Sequence, residues 1–206
     1  GTSRQSDAWH PYRAIEIFKI FNRVFGEADL HADRKESRFV RVLTSQTVGL
    51  ERSKRVMDWQ MPNHAWPTGG HPAYAFADAW AVTTYFSVSN NSDLDLPLGD
   101  EIFQSQIQSI QNLFGSLEKP GSIRQILVEA KSRNMRLVTY EGGTHLLAPS
   151  DKPALIEKLA QVNKDARMKA VSLLLIDKWH ELYQTYGAVT LGVWDHYYDV
   201  GRYGRL

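Results

Sequence analysis

Arg136-Leu137-Val138-Thr139-Tyr140-Glu141-Gly142-Gly143-Thr144-His145-Leu146 is the stretch on which the fold turns. Its opening, Arg136 to Tyr140, is a short run rich in apolar and β-branched residues. Such a run suits a strand of a parallel sheet, which helices cover rather than water. Glu141 interrupts the run, and Gly142 and Gly143 permit a sharp turn that other residues resist. The expectation is a strand ending at Tyr140, a turn at Glu141-Gly142-Gly143, and a polar loop beyond.

Three further runs of this kind lie on either side. Phe39 to Leu43 ends at Thr44-Ser45-Gln46, Ala79 to Tyr85 follows a loop marked by Pro62, Pro67, Gly69, Gly70 and Pro72, and Val189 to Trp194 closes the series. Between them the period changes from strand-like to helical. Ala14, Ile17, Phe18, Phe21, Val24 and Phe25 form a stripe that stops at Gly26, and Leu50 to Trp59 reads as a short helix. Phe103, Ile107, Ile110 and Phe114 form another stripe, as do Ile123, Ile126, Leu127 and Ala130. Leu155, Leu159 and Val162 precede a longer stripe, Met168, Val171, Leu175, Trp179, Leu182 and Tyr186, which ends at Gly187. Strands alternating with helices predict an α/β fold with a parallel sheet. With no internal repeat and no proline- or serine-rich linker, residues 1–206 read as a single domain.

Composition narrows the function classes. The 206 residues are 43% hydrophobic and 11% aromatic, enough for a sizeable core. Lys plus Arg number 24 against 23 for Asp plus Glu, a formal net charge of +1, so no general field favours nucleic acid or an anionic membrane. There is no cysteine, which removes disulfides, thiolate zinc sites and cysteine nucleophiles. No apolar stretch approaches the roughly 20 residues that cross a bilayer. The chain opens on Gly1 with no charged-then-apolar leader and ends in a glycine-spaced stretch, which reads as a piece cut at both ends.

In parallel α/β folds the chemistry gathers at the C-terminal ends of the strands, where the βα loops meet above a packed core. The four expected strand ends carry Ser45 and Gln46, then Tyr85, then Tyr140 and Glu141, then Trp194, Asp195 and His196, with His145 just beyond the third. A carboxylate, an amide, tyrosine hydroxyls and a tryptophan face match what a sugar needs: a nucleophile or base, partners for hydroxyls, and a flat apolar platform. Glu141 is the catalytic candidate, and Gln46, Tyr85, His145, Trp194, Asp195 and His196 are candidates for substrate binding. No His-Glu-x-x-His or His-x-His spacing points to a metal, no Gly-x-Ser-x-Gly elbow to a serine hydrolase, and no Gly-x-Gly-x-x-Gly or Walker pattern to a nucleotide cofactor.

Ser45-Gln46, Tyr85, the segment from Leu137 to Leu146 and the final strand with Trp194 give the chain a resemblance to a bacterial family of glycoside-hydrolase-like (β/α)8 barrels, often labelled cellulose-binding, within the broad clan of retaining glycosidases. Tyr140-Glu141-Gly142-Gly143 followed by His145-Leu146 is its most specific part. The resemblance implies the C-terminal half of a TIM barrel, strands five to eight. It puts Glu141 in the place of the nucleophile on strand seven, Tyr85 beside it, and Trp194 as the floor of a sugar subsite. It also implies an acid/base glutamate after an asparagine on strand four, and no Asn-Glu pair occurs in the chain. The expectation is a retaining glycoside hydrolase acting on a poly- or oligosaccharide, or, as the alternative, a noncatalytic carbohydrate-binding barrel. The missing half, or another copy of the chain, would complete it. The glycosidase reading carries with it a secreted or periplasmic location.

Overall fold

The computed structural model describes residues 2–25, 40–60, 70–119, 121–149, 151–186 and 189–190. Helix α1 (Thr2–Phe25) leads to strand β1 (Val42–Ser45), helix α2 (Leu50–Met57) and strand β2 (Ala79–Phe86). Helices α3 (Asp100–Phe114) and α4 (Ile123–Ser132) precede strand β3 (Arg136–Thr144). Helices α5 (Pro153–Lys164) and α6 (Arg167–Tyr186) precede the two-residue strand β4, Val189–Thr190. All pairings are parallel, and spatial order follows chain order.

The two faces of the sheet are unlike. Leu43, Trp80, Val82, Phe86 and Leu137 join the large core that also holds Met57, Ile102, Ile110, Phe114, Ile126, Leu127, Leu175, Trp179 and Leu182 from the helices. Trp80 is fully buried there and donates its indole N–H to Ser45 Oγ at 2.7 Å. Its truncation to alanine removes enough packing to cost about 3–5 kcal/mol. Small residues, Ala79, Ala81 and Val138, line the other face, with Val42 and Tyr140 packed beside them.

The N-terminal ends of β1 and β2 are tied by a buried ion pair. Asp78 Oδ2 accepts from the backbone N–H and Nε of Arg41 at 2.8 and 2.7 Å, and Oδ1 accepts from Nη2 at 2.8 Å. Main-chain bonds from Asp78 N–H to the Arg41 carbonyl, and from Arg136 N–H to the Asp78 carbonyl, carry the same registration across β1, β2 and β3.

Three sequence expectations are corrected. The α/β pattern is present, but the half-barrel is not. Three parallel strands of four, eight and nine residues make an open sheet, and the fourth adds two residues against Leu137 and Val138. β1 stops early because the chain turns out of the sheet at Thr47, whose hydroxyl bonds the Thr83 carbonyl, and at Gly49, whose φ of 84° opens α2. β1 begins at Val42, after Val40 and Arg41, the latter engaged by Asp78, while Phe39, where the strand is expected to open, lies outside the described residues. Finally, β3 does not turn at Glu141-Gly142-Gly143. It runs on to Thr144, with Glu141, Gly142, Gly143 and Thr144 registered against Thr83, Thr84, Tyr85 and Phe86, so ladder bonding to β2 overrides the local turn preference of the glycines.

Candidate functional site

The C-terminal edge of the sheet is shaped by a β-bulge. Val82 pairs with Thr139, but the next rung joins Thr83 to Glu141, leaving Tyr140 as an extra residue in β3. Alternation along β3 places Val138 and Tyr140 on the small-residue face, as their packing confirms. Glu141, paired with Thr83 two residues beyond Ala81, falls on that same face, so the bulge sends two consecutive side chains to one side. Bulges re-aim side chains in this way and are over-represented beside active sites.

Buried hydroxyls from the helix-facing side hold the irregular backbone. Thr139 donates to the carbonyls of Val82 and Glu141 at 3.1 and 3.3 Å. Thr84 Oγ1 lies 3.1 Å from Thr139 Oγ1 and 3.4 Å from the Glu141 carbonyl. Glu141 is thus positioned through its main chain. Its half-buried carboxylate makes no hydrogen bond or ion pair with the described residues, which leaves its acceptor sites open.

Beyond the bulge, Gly143 sits opposite Tyr85 with a φ of 120°, a conformation other residues adopt only under strain. The Tyr85 ring then meets the His145 imidazole, centroids 5.1 Å apart and planes at 49°. His145 donates its backbone N–H to the Phe86 carbonyl at 2.7 Å, and its desolvation lowers the imidazole pKa below the ordinary value.

Beside this edge, at the end of β1, an open cavity of about 220 Å³ is lined by His10, Thr44, Gln46, Arg52 and Tyr140, with Ser45, Val48, Ser53 and Val56 completing the wall. A ring nitrogen of His10 lies 3.1 Å from Thr44 Oγ1. Desolvation lowers the His10 pKa, opposed by a hydrogen bond that the ring donates to the Thr44 backbone. The Tyr140 phenol is raised, first by burial and then by the neighbouring Glu141 charge, so it stays protonated and able to donate. Ser53 Oγ donates to the Gln46 carbonyl at 2.9 Å, fixing the backbone, while the exposed Gln46 amide makes no hydrogen bond among the described residues.

Of the residues singled out by sequence, Glu141, Tyr85 and His145 lie on the last rungs of β2 and β3 and just past them, and Gln46 lies in the cavity next to Tyr140. Trp194, Asp195 and His196 lie outside the described residues. The strand-end rule leads to Tyr140 but does not single it out, because the extra residue of a bulge follows from pairing with β2. It misses His10 altogether, since α1 precedes the first strand. Among the described residues no group of His, Asp and Glu is arranged to hold a metal ion, and no helix is long and apolar enough to cross a membrane. No family model matches the chain, and neither a curated protein nor a solved structure matches it.

Proposed function

We propose that the C-terminal edge of the sheet is a carbohydrate site, and that Glu141 serves there as nucleophile in a retaining glycoside hydrolase reaction on a poly- or oligosaccharide. The observation that carries this reading is the bulge. It sets a carboxylate that has no partner among the described residues beside a protonated tyrosine and two rungs from an aromatic pair. Sugars are recognised by such a set: acceptors and donors for hydroxyls, with ring faces for the apolar side of a pyranose.

In the proposed reaction a Glu141 carboxylate oxygen bonds to the anomeric carbon as the bond to the leaving oxygen breaks, and a second carboxyl group gives that oxygen its proton. Water, deprotonated by the second group, then cleaves the glycosyl ester and restores Glu141. The two carboxyl groups of such a site stand roughly 5–5.5 Å apart. The ends of β1, β2 and β3 offer one carboxylate, Glu141, so the acid would come from outside the described residues or from another chain. That single carboxylate also favours the second reading, a carbohydrate-binding protein without turnover.

Glu141→Gln separates the two. It keeps the shape and removes the charge, so a hydrolase loses turnover on any polysaccharide the wild type cleaves while sugar binding persists. Undiminished hydrolysis in Glu141→Gln would sink the nucleophile assignment. Saturable sugar binding with no hydrolysis by the wild type would establish the binding-only reading.

A further inference from the structure

We infer that the cavity between α1 and the end of β1 is a subsite for one neutral sugar ring adjoining Glu141, with His10, Gln46 and Tyr140 as its specificity residues. The inference rests on the carbohydrate reading of the edge and extends it to α1, which that reading does not use.

Three features select this ligand class. The volume, about 220 Å³, falls below the roughly 300–1,000 Å³ of sites for drug-sized molecules, which suits a single small ring rather than a stretch of chain. The lining is rich in groups that both donate and accept: the Gln46 amide, the Tyr140 phenol, the hydroxyls of Thr44, Ser45 and Ser53, and the His10 imidazole. Among the described residues Gln46 and Tyr140 make no side-chain hydrogen bond, while the His10 ring is bonded to Thr44, to its hydroxyl and to its backbone. Sugar hydroxyls have the same dual character, so each can meet one of these groups without leaving a polar atom unpaired.

The depressed His10 pKa fits the assignment without carrying it, because a neutral imidazole offers one donor and one acceptor where an imidazolium offers donors only. The titratable and charged groups facing His10 across the cavity are Arg52 on α2 and Tyr140 on β3, with Glu141 behind Tyr140. Tyr140 belongs to both regions. It lines the cavity and is the extra residue of the bulge, next in sequence to Glu141, whose charge it feels, so the cavity and the carboxylate share one residue as their boundary.

The test uses the full chain and four β-1,4-linked probes, cellobiose, xylobiose, mannobiose and chitobiose. Each is titrated while the His10 ring and Gln46 amide signals are followed by NMR and the heat of binding is measured. At least one probe should shift both signals saturably. Gln46→Ala and His10→Ala, both at solvent-accessible positions that leave the fold intact, should each weaken that probe by about two- to tenfold, the loss of one neutral hydrogen bond. Binding of a probe with the His10 and Gln46 signals unmoved and both variants at wild-type affinity would overturn the subsite and leave the carbohydrate reading of Glu141 standing. Failure of all four probes to bind would also overturn the subsite, and the Glu141→Gln comparison on polysaccharide decides the carbohydrate reading separately.

Discussion

Asp78→Ala should be among the most damaging substitutions outside the hydrophobic core, and the structure gives its size. The Arg41 and Asp78 side chains are 4% and 3% exposed, and the carboxylate accepts three hydrogen bonds from Arg41, one of them from its backbone N–H. Removing the carboxylate takes from a buried guanidinium the counter-charge that Asp78 supplies, a loss of about 3–5 kcal/mol, against a total stability of about 5–15 kcal/mol for an ordinary domain. Replacing both residues by leucine removes the charge along with its partner. The cost then falls to about 1–3 kcal/mol, chiefly the Arg41 backbone N–H left without its acceptor. Urea unfolding followed by tryptophan fluorescence should show the Asp78→Ala midpoint about 1–2 M below wild type, for a slope of about 3 kcal/mol per molar. Because Asp78 also ties β2 to Arg41 and Arg136 through its main chain, amide exchange at Val42–Ser45 should accelerate in the single mutant. A loss below about 1 kcal/mol, or a double mutant as unstable as the single one, would refute the view that loss of the Asp78 charge from a buried guanidinium sets the cost.

Two further outcomes follow from the site. Desolvation holds the His10 and His145 pKa values below that of an ordinary histidine, so the unfolded chain binds more protons on acidification. Their contribution is present in full above pH 6.5 and is lost as pH falls through the folded values. The thermal midpoint of the wild type should therefore drop more steeply below pH 6.5 than that of a His10→Gln, His145→Gln variant, and parallel curves would refute the assignment. Gly143→Ala, at a φ of 120°, should cost about 1–3 kcal/mol in chemical denaturation and loosen the Tyr85–His145 ring contact, whereas a neutral effect would show that a side chain fits there without strain.

The parts of the fold legible in the sequence are those set by local pattern. The runs at Ala79 and Arg136 are strands, and the apolar stripes from Phe103 to Phe114 and from Met168 to Leu182 bury the positions their spacing selects. What escapes is non-local. A Gly-Gly pair reads as a turn until β2 is there to bond it into a ladder, and the extra residue at Tyr140 exists only relative to Val82 and Thr83. Arg41 reads as one more residue of a strand because its partner, Asp78, is 37 positions away. The half-barrel expectation failed for a related reason. Alternating strands and helices are common to all parallel α/β folds, while closure depends on how long each strand is and on what pairs with its edge, neither of which the periodicity carries. His10 was missed because its role comes from α1 packing near Thr44, not from a strand end.

The two ends of the sheet divide the labour in a way that bears on the chemistry. At the N-terminal end a charged pair is spent entirely on structure, since Asp78 gives Arg41 both of its carboxylate oxygens. At the C-terminal end the carboxylate of Glu141 is held by its main chain, through the hydroxyls of Thr84 and Thr139 on its carbonyl. Orientation through the backbone leaves both carboxylate oxygens uncommitted among the described residues. A reactive or ligand-binding carboxylate needs to be fixed in space yet free to accept a hydrogen bond or form one, and ordinary side-chain anchoring supplies the first at the expense of the second. A bulge stapled by two buried threonines supplies both. It also explains why Tyr140 stands next to Glu141 on the same face: the extra residue of the bulge is also a residue that lines the cavity.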